Sequence, residues 1–253
     1  MGSQQIELNK MPVRGVVIVL FLALMNTAIS GDKNWTYFVF AQHWPPSLCN
    51  DASQMNHTCK GLPKPVKTWT VHGLWPTNID EPRVKNCNGS WHFNCTKIKP
   101  LQKQLETSWP NLFEDTNFTW LWKHEWTAHG TCAASLEATN NEFRYFQKVL
   151  SLNSVTAFNP EKALENFGIT PSCTKAYSVK AIQKALMEYF RLDTPLKIIC
   201  AMQRVTGRTM LMEIHMALSK TFNVTKMPSN STSCCTPADQ IYIFPISDMH
   251  CFQ

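Results

Sequence analysis

The sequence lacks several features that mark particular classes of protein. Its 253 residues include only 9 glycines, and no repeat or low-complexity stretch appears. There is no run of Lys and Arg, which excludes a dedicated basic arm for nucleic acid. After the first 30 residues no segment is apolar enough to cross a membrane, since a spanning helix needs about 20 apolar residues. With 44% hydrophobic residues, the composition is that of a globular protein with a substantial core.

The N-terminal segment has the pattern of a signal peptide. Two basic residues precede an apolar run over 16–25, and a small-residue cleavage site follows at 28–30. The run is too short to span a bilayer, although an uncleaved anchor or a buried helix is the alternative. We expect residues 1–30 to be a signal peptide. Residues 31–253 would then form one domain that passes through the endoplasmic reticulum and is secreted or delivered to lysosomes.

Cysteines and glycosylation sequons favour the same compartment. The chain has 10 cysteines, which an exported protein of this kind normally oxidises to disulfides. N-glycosylation is expected at the Asn-x-Ser/Thr sequons Asn34, Asn56, Asn88, Asn94, Asn117, Asn223 and Asn230.

Apolar periodicity predicts a helical middle between two groups of strands. Strands are expected over 37–42, 69–74, 196–202, 210–218 and 240–244. In the fourth of these, apolar residues alternate strictly with the residues between them. Helices are expected over 98–109, 142–152, 160–168 and 179–189. This order favours a single α+β domain in which several helices pack on an antiparallel sheet.

The segment Thr-Val-His-Gly-Leu-Trp-Pro at 70–76 lies at the end of a predicted strand. A strand holds the side chain of His72 firmly, and its end can face a cleft. Gly73 lets the backbone approach a ligand, and the flat face of Trp75 can stack on a base.

A second segment, Trp-Lys-His-Glu-Trp-Thr-Ala-His-Gly-Thr-Cys at 122–132, is predicted to be helical. Glu125 and His129 are four residues apart, so they would share one helix face. Gly130 is expected to end the helix, and Cys132 to anchor that end to another segment.

His72, Glu125 and His129 together have the chemistry needed to cleave RNA. Attack by the 2′-hydroxyl needs a base that takes its proton and an acid that protonates the departing 5′-oxygen. Two imidazoles can supply both, and a carboxylate beside them can stabilise an imidazolium. The formal net charge of +6 suits a polyanion such as RNA, although many exported proteins are equally basic.

A zinc site is the rival interpretation of the second segment. The signature H-E-x-x-H places two histidines four residues apart on one helix face. Here His124 and His129 are five apart, about 140° around an α-helix, and are not expected to bind one ion. No metal and no other cofactor is therefore predicted.

These two segments, with Gln42-His43-Trp44-Pro45 before them, resemble the ribonuclease T(2) family. The resemblance covers most of residues 31–253 and rests on H-G-L-W-P at 72–76 and on the block at 122–132. It implies an enzyme that cuts single-stranded RNA with little base preference. We also expect a monomer that needs no metal and does not cleave DNA, because DNA has no 2′-hydroxyl. A 2′,3′-cyclic phosphate would form first and a 3′-phosphate afterwards. Gln42 would contact the substrate.

The resemblance also implies a role for each residue of the two segments. His72 would be the general acid and His129 the general base, with the roles reversed in the second step. Glu125 would support the pentacoordinate phosphorane and His124 would hold the phosphate. Trp75 would stack on the base at the 5′ side.

Two positions depart from the family pattern. Ala128 stands where the family usually has a lysine that stabilises charge on the phosphate, and Lys123 is not expected to replace it. Ala128→Lys should raise turnover unless another group fills that role. Thr77 stands where many members have an aspartate that contacts the base, so no base preference is carried over. Ala128 also favours the alternative function, a weakly active or non-catalytic extracellular RNA-binding or signalling glycoprotein of the same fold.

The resemblance implies part of the disulfide pattern. The expected pairs are Cys49 with Cys59, Cys87 with Cys132, and Cys200 with Cys251. Four cysteines keep no assigned partner: Cys95, Cys173, Cys234 and Cys235.

Overall fold

The computed structural model describes residues 35–59, 61–79, 84–154, 158–228, 233–236, 239–247 and 251. The expected signal peptide at 1–30 and the sequons at Asn34 and Asn230 lie outside these residues. Within the described ranges, no helix is both long and apolar enough to cross a membrane.

Strands from both ends of the described chain form one sheet. They are β1 (Tyr37–His43), β2 (Thr70–Thr77), β3 (Ala176–Ser178), β4 (Lys197–Met202), β5 (Thr209–Leu218) and β6 (Gln240–Tyr242). The strand order is β2-β1-β5-β6-β3, and β4 pairs with β5 as well. Four of these pairings are antiparallel, but β5 and β6 run parallel, so the sheet is mixed. β3 is an addition to the predicted strands, because its short sequence shows only a helix cap at Ser178.

The helices lie mainly between β2 and β4 in the chain. They are α1 (Pro45–Asp51), α2 (Gln102–Ser108), α3 (Trp120–Glu125), α4 (Thr131–Ala133), α5 (Glu142–Ser154), α6 (Pro160–Glu165) and α7 (Val179–Phe190). Short stretches of 3-10 helix cover Ala52–Met55, Cys95–Leu101 and Glu137–Thr139. The side chains of Asn159 and Ser178 cap α6 and α7 by accepting backbone N–H groups, as helix N-caps do.

Helix α5 joins the helical layer to the sheet. Its Tyr145, Phe146 and Val149 are fully buried in the main core, and Trp109 packs against Phe146 with ring centroids 5.2 Å apart. The Tyr145 hydroxyl donates to the Leu74 carbonyl of β2 at 3.0 Å. The expected α+β domain is therefore confirmed, and α5 supports from behind the strand that carries His72.

A β-bulge in β2 distinguishes His72 from its neighbours. Ala41 of β1 pairs with Gly73 and Gln42 pairs with Val71, which leaves His72 as an extra residue between them. A bulge re-aims a side chain and is common beside active sites.

A second bulge lies in β5. Between Leu211 and Glu213 the pairing with β4 shifts, which leaves Met212 as an extra residue. The strict alternation expected along β5 is therefore wrong across the bulge. Met210 packs in a cluster apart from the main core that contains Ile214.

The second segment is helical throughout, but it is not a regular α-helix. Helix α3 continues into a π-helical turn, Trp126–Gly130, which leads into α4. At its end the Thr131 N–H donates to the Trp126 carbonyl, five residues back, as in a π-helix. Gly130 therefore does not end the helix as expected. Its lack of a side chain serves packing instead, because a Cβ there would overlap the Trp126 ring.

Four disulfides are present among the described residues: Cys49–Cys59, Cys87–Cys132, Cys173–Cys251 and Cys200–Cys235. The first two match the expected pairs. The expected pair of Cys200 with Cys251 is wrong, because the Cys234 N–H donates to the Ile198 carbonyl and brings Cys235 alongside β4. Cys95 and Cys234 are exposed free thiols.

Five of the predicted glycosylation sites lie within the described chain. Four of these asparagines are exposed and Asn88 is half-buried. In Asn88, Asn94 and Asn117 the side-chain oxygen accepts a hydrogen bond from the Ser or Thr hydroxyl of its own sequon. Glycosylation of these sites stays a prediction.

Candidate active site

His72 is bound to a carboxylate that lies two strands away. Its Nδ1 is 3.0 Å from Oε1 of Glu213 in β5, and the other oxygen of Glu213 is 2.6 Å from Nε2 of His215. Burial lowers the pKa of His72, but the charge and hydrogen bond of Glu213, helped by the charge of Glu125, raise it to about 9. His72 is therefore an imidazolium at neutral pH, and its Nε2 is the nitrogen left for a substrate.

Trp75 connects the strand to the helical segment. Its indole N–H donates to Oε2 of Glu125 at 2.9 Å, and its ring contacts those of His72 and His129, with centroids 4.9 and 5.5 Å away. Gly73 allows this arrangement, because a Cβ at that position would overlap both Glu125 and the indole nitrogen. The three residues expected to be catalytic thus surround one indole.

Glu125 is a buried acid with an altered pKa. Glu125 is 1% exposed, and its Oε1 has no hydrogen-bond partner within the described structure. Burial raises the pKa of Glu125 to about 7, against the lowering effect of His72 and of the Trp75 hydrogen bond. Glu125 is therefore mostly protonated in mildly acidic solution and can donate a hydrogen bond.

His129 has the opposite protonation state from His72. Burial is the main cause that lowers its pKa to about 3, and the charges of His124, His72 and Lys85 add to this effect. The pKa of His124 is also lowered, by burial and then by His72 and Lys85. His129 is therefore a neutral imidazole over most of the pH range and can accept a proton.

The π turn changes the expected relation between His124 and His129. Their ring centroids are 6.1 Å apart, and one ligand atom from each, with one from Glu125, lie within 4.8 Å of one another. The expectation that a five-residue spacing separates the two rings is wrong, since a π turn returns residues five apart to one face. A second set with donor atoms this close comprises His43, His72 and Glu213.

Two cavities adjoin these residues. One, of about 200 Å³, is lined by His72, His124 and Glu213 together with aromatic residues. The other, of about 260 Å³, is lined by Trp75 and His129 together with Tyr37, Lys85, Lys197 and His215. The residues expected to be catalytic therefore lie at the edges of two cavities, with His72 lining the first and His129 the second.

The first cavity has flat aromatic walls. Trp120 stacks on His124 with centroids 6.0 Å apart, and Phe113 stacks on His57 at 4.3 Å. His57 is oriented by Asp115, whose Oδ2 lies 2.8 Å from Nδ1. Such faces suit unpaired bases, which bind to aromatic rings by stacking.

Gln42 is not brought into this group. It is 3% exposed, donates to the Asn153 side chain at 2.9 Å, and pairs with the core residues Val71 and Ile214. It is not among the residues that line either cavity. Its substrate contact stays a prediction.

Sequence reasoning missed the residues that contact His72 from the neighbouring strands, and the histidine bound to one of them. Glu213 and His215 orient the site from β5, and His43 lies beside His72 with ring centroids 5.6 Å apart. Both ring nitrogens of His43 are buried and lack a hydrogen-bond partner in the described structure, and burial lowers its pKa to about 3. A signal was present, because Glu213 and His215 are the two polar residues in the strand predicted over 210–218.

Comparison with known proteins identifies the family of the chain. The model of the ribonuclease T2 family matches residues 35–235, which include both segments of the site. The chain belongs to the ribonuclease T2 family. Ribonuclease Oy of Magallana gigas is 36% identical over 217 residues, which cover 84% of this chain and 97% of that protein. Mouse Ribonuclease T2-A is 39% identical over 144 residues, but the aligned part spans only 50% of that protein.

Two solved ribonuclease structures have the same fold. Human RNase T2 superposes with a TM-score of 0.67 at 30% identity and covers 83% of this chain and 99% of its own. RNase NT, solved in complex with 5′-AMP, superposes with a TM-score of 0.71 at 26% identity, covering 84% and 100%.

Ala128 and Thr77, the two departures from the ribonuclease T2 pattern, each make a hydrogen bond within the fold. Ala128 is 6% exposed, and its carbonyl accepts the Asn86 N–H at 2.8 Å. The Thr77 hydroxyl donates to the Trp75 carbonyl at 2.9 Å, so it is engaged by its own strand.

Proposed function

We propose that the protein is an endoribonuclease that cleaves single-stranded RNA by acid–base catalysis. The observation that carries the proposal is the contact of one indole, Trp75, with two imidazoles, whose pKa values are shifted in opposite directions. His72 is protonated through Glu213, and His129 is neutral through burial. Attack of the 2′-hydroxyl on the neighbouring phosphorus requires a general acid and a general base that lie close to the same phosphodiester.

The first step needs one proton removed and one supplied. Neutral His129 takes the proton of the 2′-hydroxyl while O2′ forms a bond to phosphorus. The bond from phosphorus to O5′ breaks, and His72 delivers its Nε2 proton to O5′. The products are a 2′,3′-cyclic phosphate and a free 5′-hydroxyl.

The second step reverses these roles. His129, now protonated, donates to O2′ as that oxygen leaves, and His72, now neutral, removes a proton from the attacking water. The product is a 3′-phosphate, and both histidines return to their starting states. DNA has no 2′-hydroxyl, so it is not cleaved.

Glu125 and His124 bind the phosphate and take no part in the proton transfers. In mildly acidic solution Glu125 is a neutral acid whose Oε1 can donate to a phosphoryl oxygen as charge develops there. His124 adds a donor from the same helix face. Trp75 and the aromatic wall of the first cavity receive bases.

The proposed enzyme works without a metal. The donor atoms of His124, Glu125 and His129 are close enough for an ion, so their spacing gives no argument against one. For the other set, His43, His72 and Glu213, the argument against an ion is electrostatic: a protonated His72 cannot be a ligand, and Glu213 is already engaged by two histidines. The EDTA experiment below tests the set of His124, Glu125 and His129.

Export is part of the proposal. Four disulfides form readily only in an oxidising compartment, which supports secretion or lysosomal delivery after removal of residues 1–30. We propose a monomer with N-linked glycans.

Digestion of single-stranded RNA at pH 5 and pH 7, with and without EDTA, tests the function. We expect RNA fragments with cyclic phosphate ends at both pH values, with more of them at pH 5. EDTA should have no effect at either pH. Loss of cleavage with EDTA would indicate a metallohydrolase. Binding of RNA without cleavage would indicate the non-catalytic glycoprotein.

A further inference from the structure

The backbone before Cys87 is attached to the π turn of the active site. The Asn86 N–H donates to the Ala128 carbonyl at 2.8 Å, and Cys87 forms the disulfide with Cys132. Farther along, the Trp126 indole N–H donates to the Trp91 carbonyl at 3.2 Å. Residues 86–91 are therefore held along the helical segment that carries His129.

Lys85 directly precedes this attached stretch. Val84, just before it, is 3% exposed and packs in the main core, and Asn86, just after it, is bonded to Ala128. The backbone of Lys85 is thus held on both sides, whereas its side chain is exposed and lines the second cavity with Trp75 and His129. The Lys85 side chain therefore lines the same cavity as His129, the proposed general base.

We propose that the Lys85 ammonium contacts the scissile phosphate and stabilises the negative charge that develops on its oxygens. The inference rests on the ribonuclease activity proposed above. Lys85 transfers no proton in this role, so its contribution is electrostatic. It would place a cation beside His129 although the position before that histidine is Ala128.

Two further observations support this role. The charge of Lys85 contributes to the lowered pKa of both His124 and His129, after burial and the neighbouring histidines, so its field reaches both rings. Lys197 lines the same cavity from β4, opposite His215, and adds to its positive charge. An anion bound between these groups would offset the repulsion that the cations impose on one another.

Lys85→Met tests the proposal, and Lys123→Met is the matched control. Lys123 is an exposed lysine of α3, next to His124 in sequence, and it does not line either cavity. We expect Lys85→Met to lower kcat on single-stranded RNA about 10- to 100-fold. Lys123→Met should stay within about twofold, and Lys85→Arg should retain most of the activity because it keeps the charge.

Ala128→Lys provides a rescue experiment. In the Lys85→Met background it should restore kcat at least about tenfold, because a cation returns to the same neighbourhood. In the otherwise unchanged protein it should alter kcat by no more than about twofold, since Lys85 already supplies the charge. The thermal midpoint of each variant checks folding. A folded Lys85→Met variant with kcat within twofold of the unchanged protein would overturn the proposal.

A binding measurement separates this inference from the proposed activity. A 2′-O-methyl oligonucleotide cannot be cleaved, so its affinity can be measured whether or not the protein is an enzyme. Loss of one phosphate contact should reduce the slope of log affinity against log salt by about 0.7 in Lys85→Met but not in Lys123→Met. An unchanged slope in Lys85→Met overturns the phosphate contact. Absence of RNA cleavage by the unchanged protein overturns the ribonuclease proposal instead.

Discussion

The Trp75 indole N–H donates to the Glu125 carboxylate at 2.9 Å, directly over the backbone of Gly73. This contact joins the strand that carries His72 to the helical segment that carries His129. The glycine is needed for space and not for an unusual backbone angle, since it is not among the described glycines with positive φ. The geometry of the site therefore depends on a residue with no side chain.

Gly73→Ala should disturb both stability and activity. The added Cβ must displace Glu125 or Trp75 in a packed interior, which typically costs about 1–3 kcal/mol in the free energy of unfolding. Turnover should fall as well, because Glu125 leaves its position. Urea unfolding and RNA digestion measure the two effects. Gly61→Ala is the control, because nothing lies within 4 Å of a Cβ there, and its unfolding free energy should change by less than about 0.5 kcal/mol.

The pH dependence of kcat/KM should be set by His129 on the acid side and by Glu125 on the alkaline side. Activity rises through about pH 3 as His129 loses its proton, and it falls through about pH 7 as Glu125 ionises. In Glu125→Gln the fall at about pH 7 should disappear. The next group to lose its proton is then His72. Its pKa of about 9 should drop somewhat in this variant, because the charge of Glu125 contributes to it, but Glu213 still holds it up. Persistence of the fall near pH 7 in this variant would assign it to another group.

Glu213→Gln should make the enzyme more dependent on acidic conditions. The carboxylate is what holds the pKa of His72 above its ordinary value, whereas burial of the ring acts in the opposite direction and remains. The pKa of His72 should therefore drop, and activity at pH 7 should fall more than activity at pH 5. Glu188→Gln, which removes an exposed carboxylate of α7 near Lys184, should leave the profile unchanged. An unshifted profile in Glu213→Gln would contradict the role of this carboxylate.

The separate roles of His72 and His129 can be distinguished by the leaving group. His72→Ala and His129→Ala should each lower kcat on RNA about 10²- to 10⁴-fold, while the exposed His92→Ala should not. A nucleoside 3′-(4-nitrophenyl phosphate) has a leaving group that needs no acid. It should therefore recover most of the rate of His72→Ala but not that of His129→Ala. Recovery in His129→Ala instead would exchange the two roles.

Periodicity and short motifs were sufficient for the predicted strands and for the residues that surround the Trp75 indole. The two segments at 70–76 and 122–132 are local in sequence, and their residue types already indicate proton transfer to an RNA backbone. The predicted helices also agree with the structure in place, though not in every boundary, because their caps and apolar stripes are local signals too.

The errors have a common physical cause. A bulge in β5 ended the alternation expected along that strand, and a π turn brought His124 and His129 to one face although an α-helix would separate them. The partner of Cys200 depended on a backbone hydrogen bond between Ile198 and Cys234, which are far apart in the chain. None of these features is encoded by the periodicity of its own segment.

The sequence by itself determined which side chains are able to act, since residue type decides which groups can donate or accept a proton. Only the tertiary structure decided the state in which each group acts. His72 is charged because a distant strand brings Glu213 to it. His129 is neutral because the fold buries it and places His124, His72 and Lys85 near it. A pKa depends on the distance to other charges and on access to water, and long-range packing sets both.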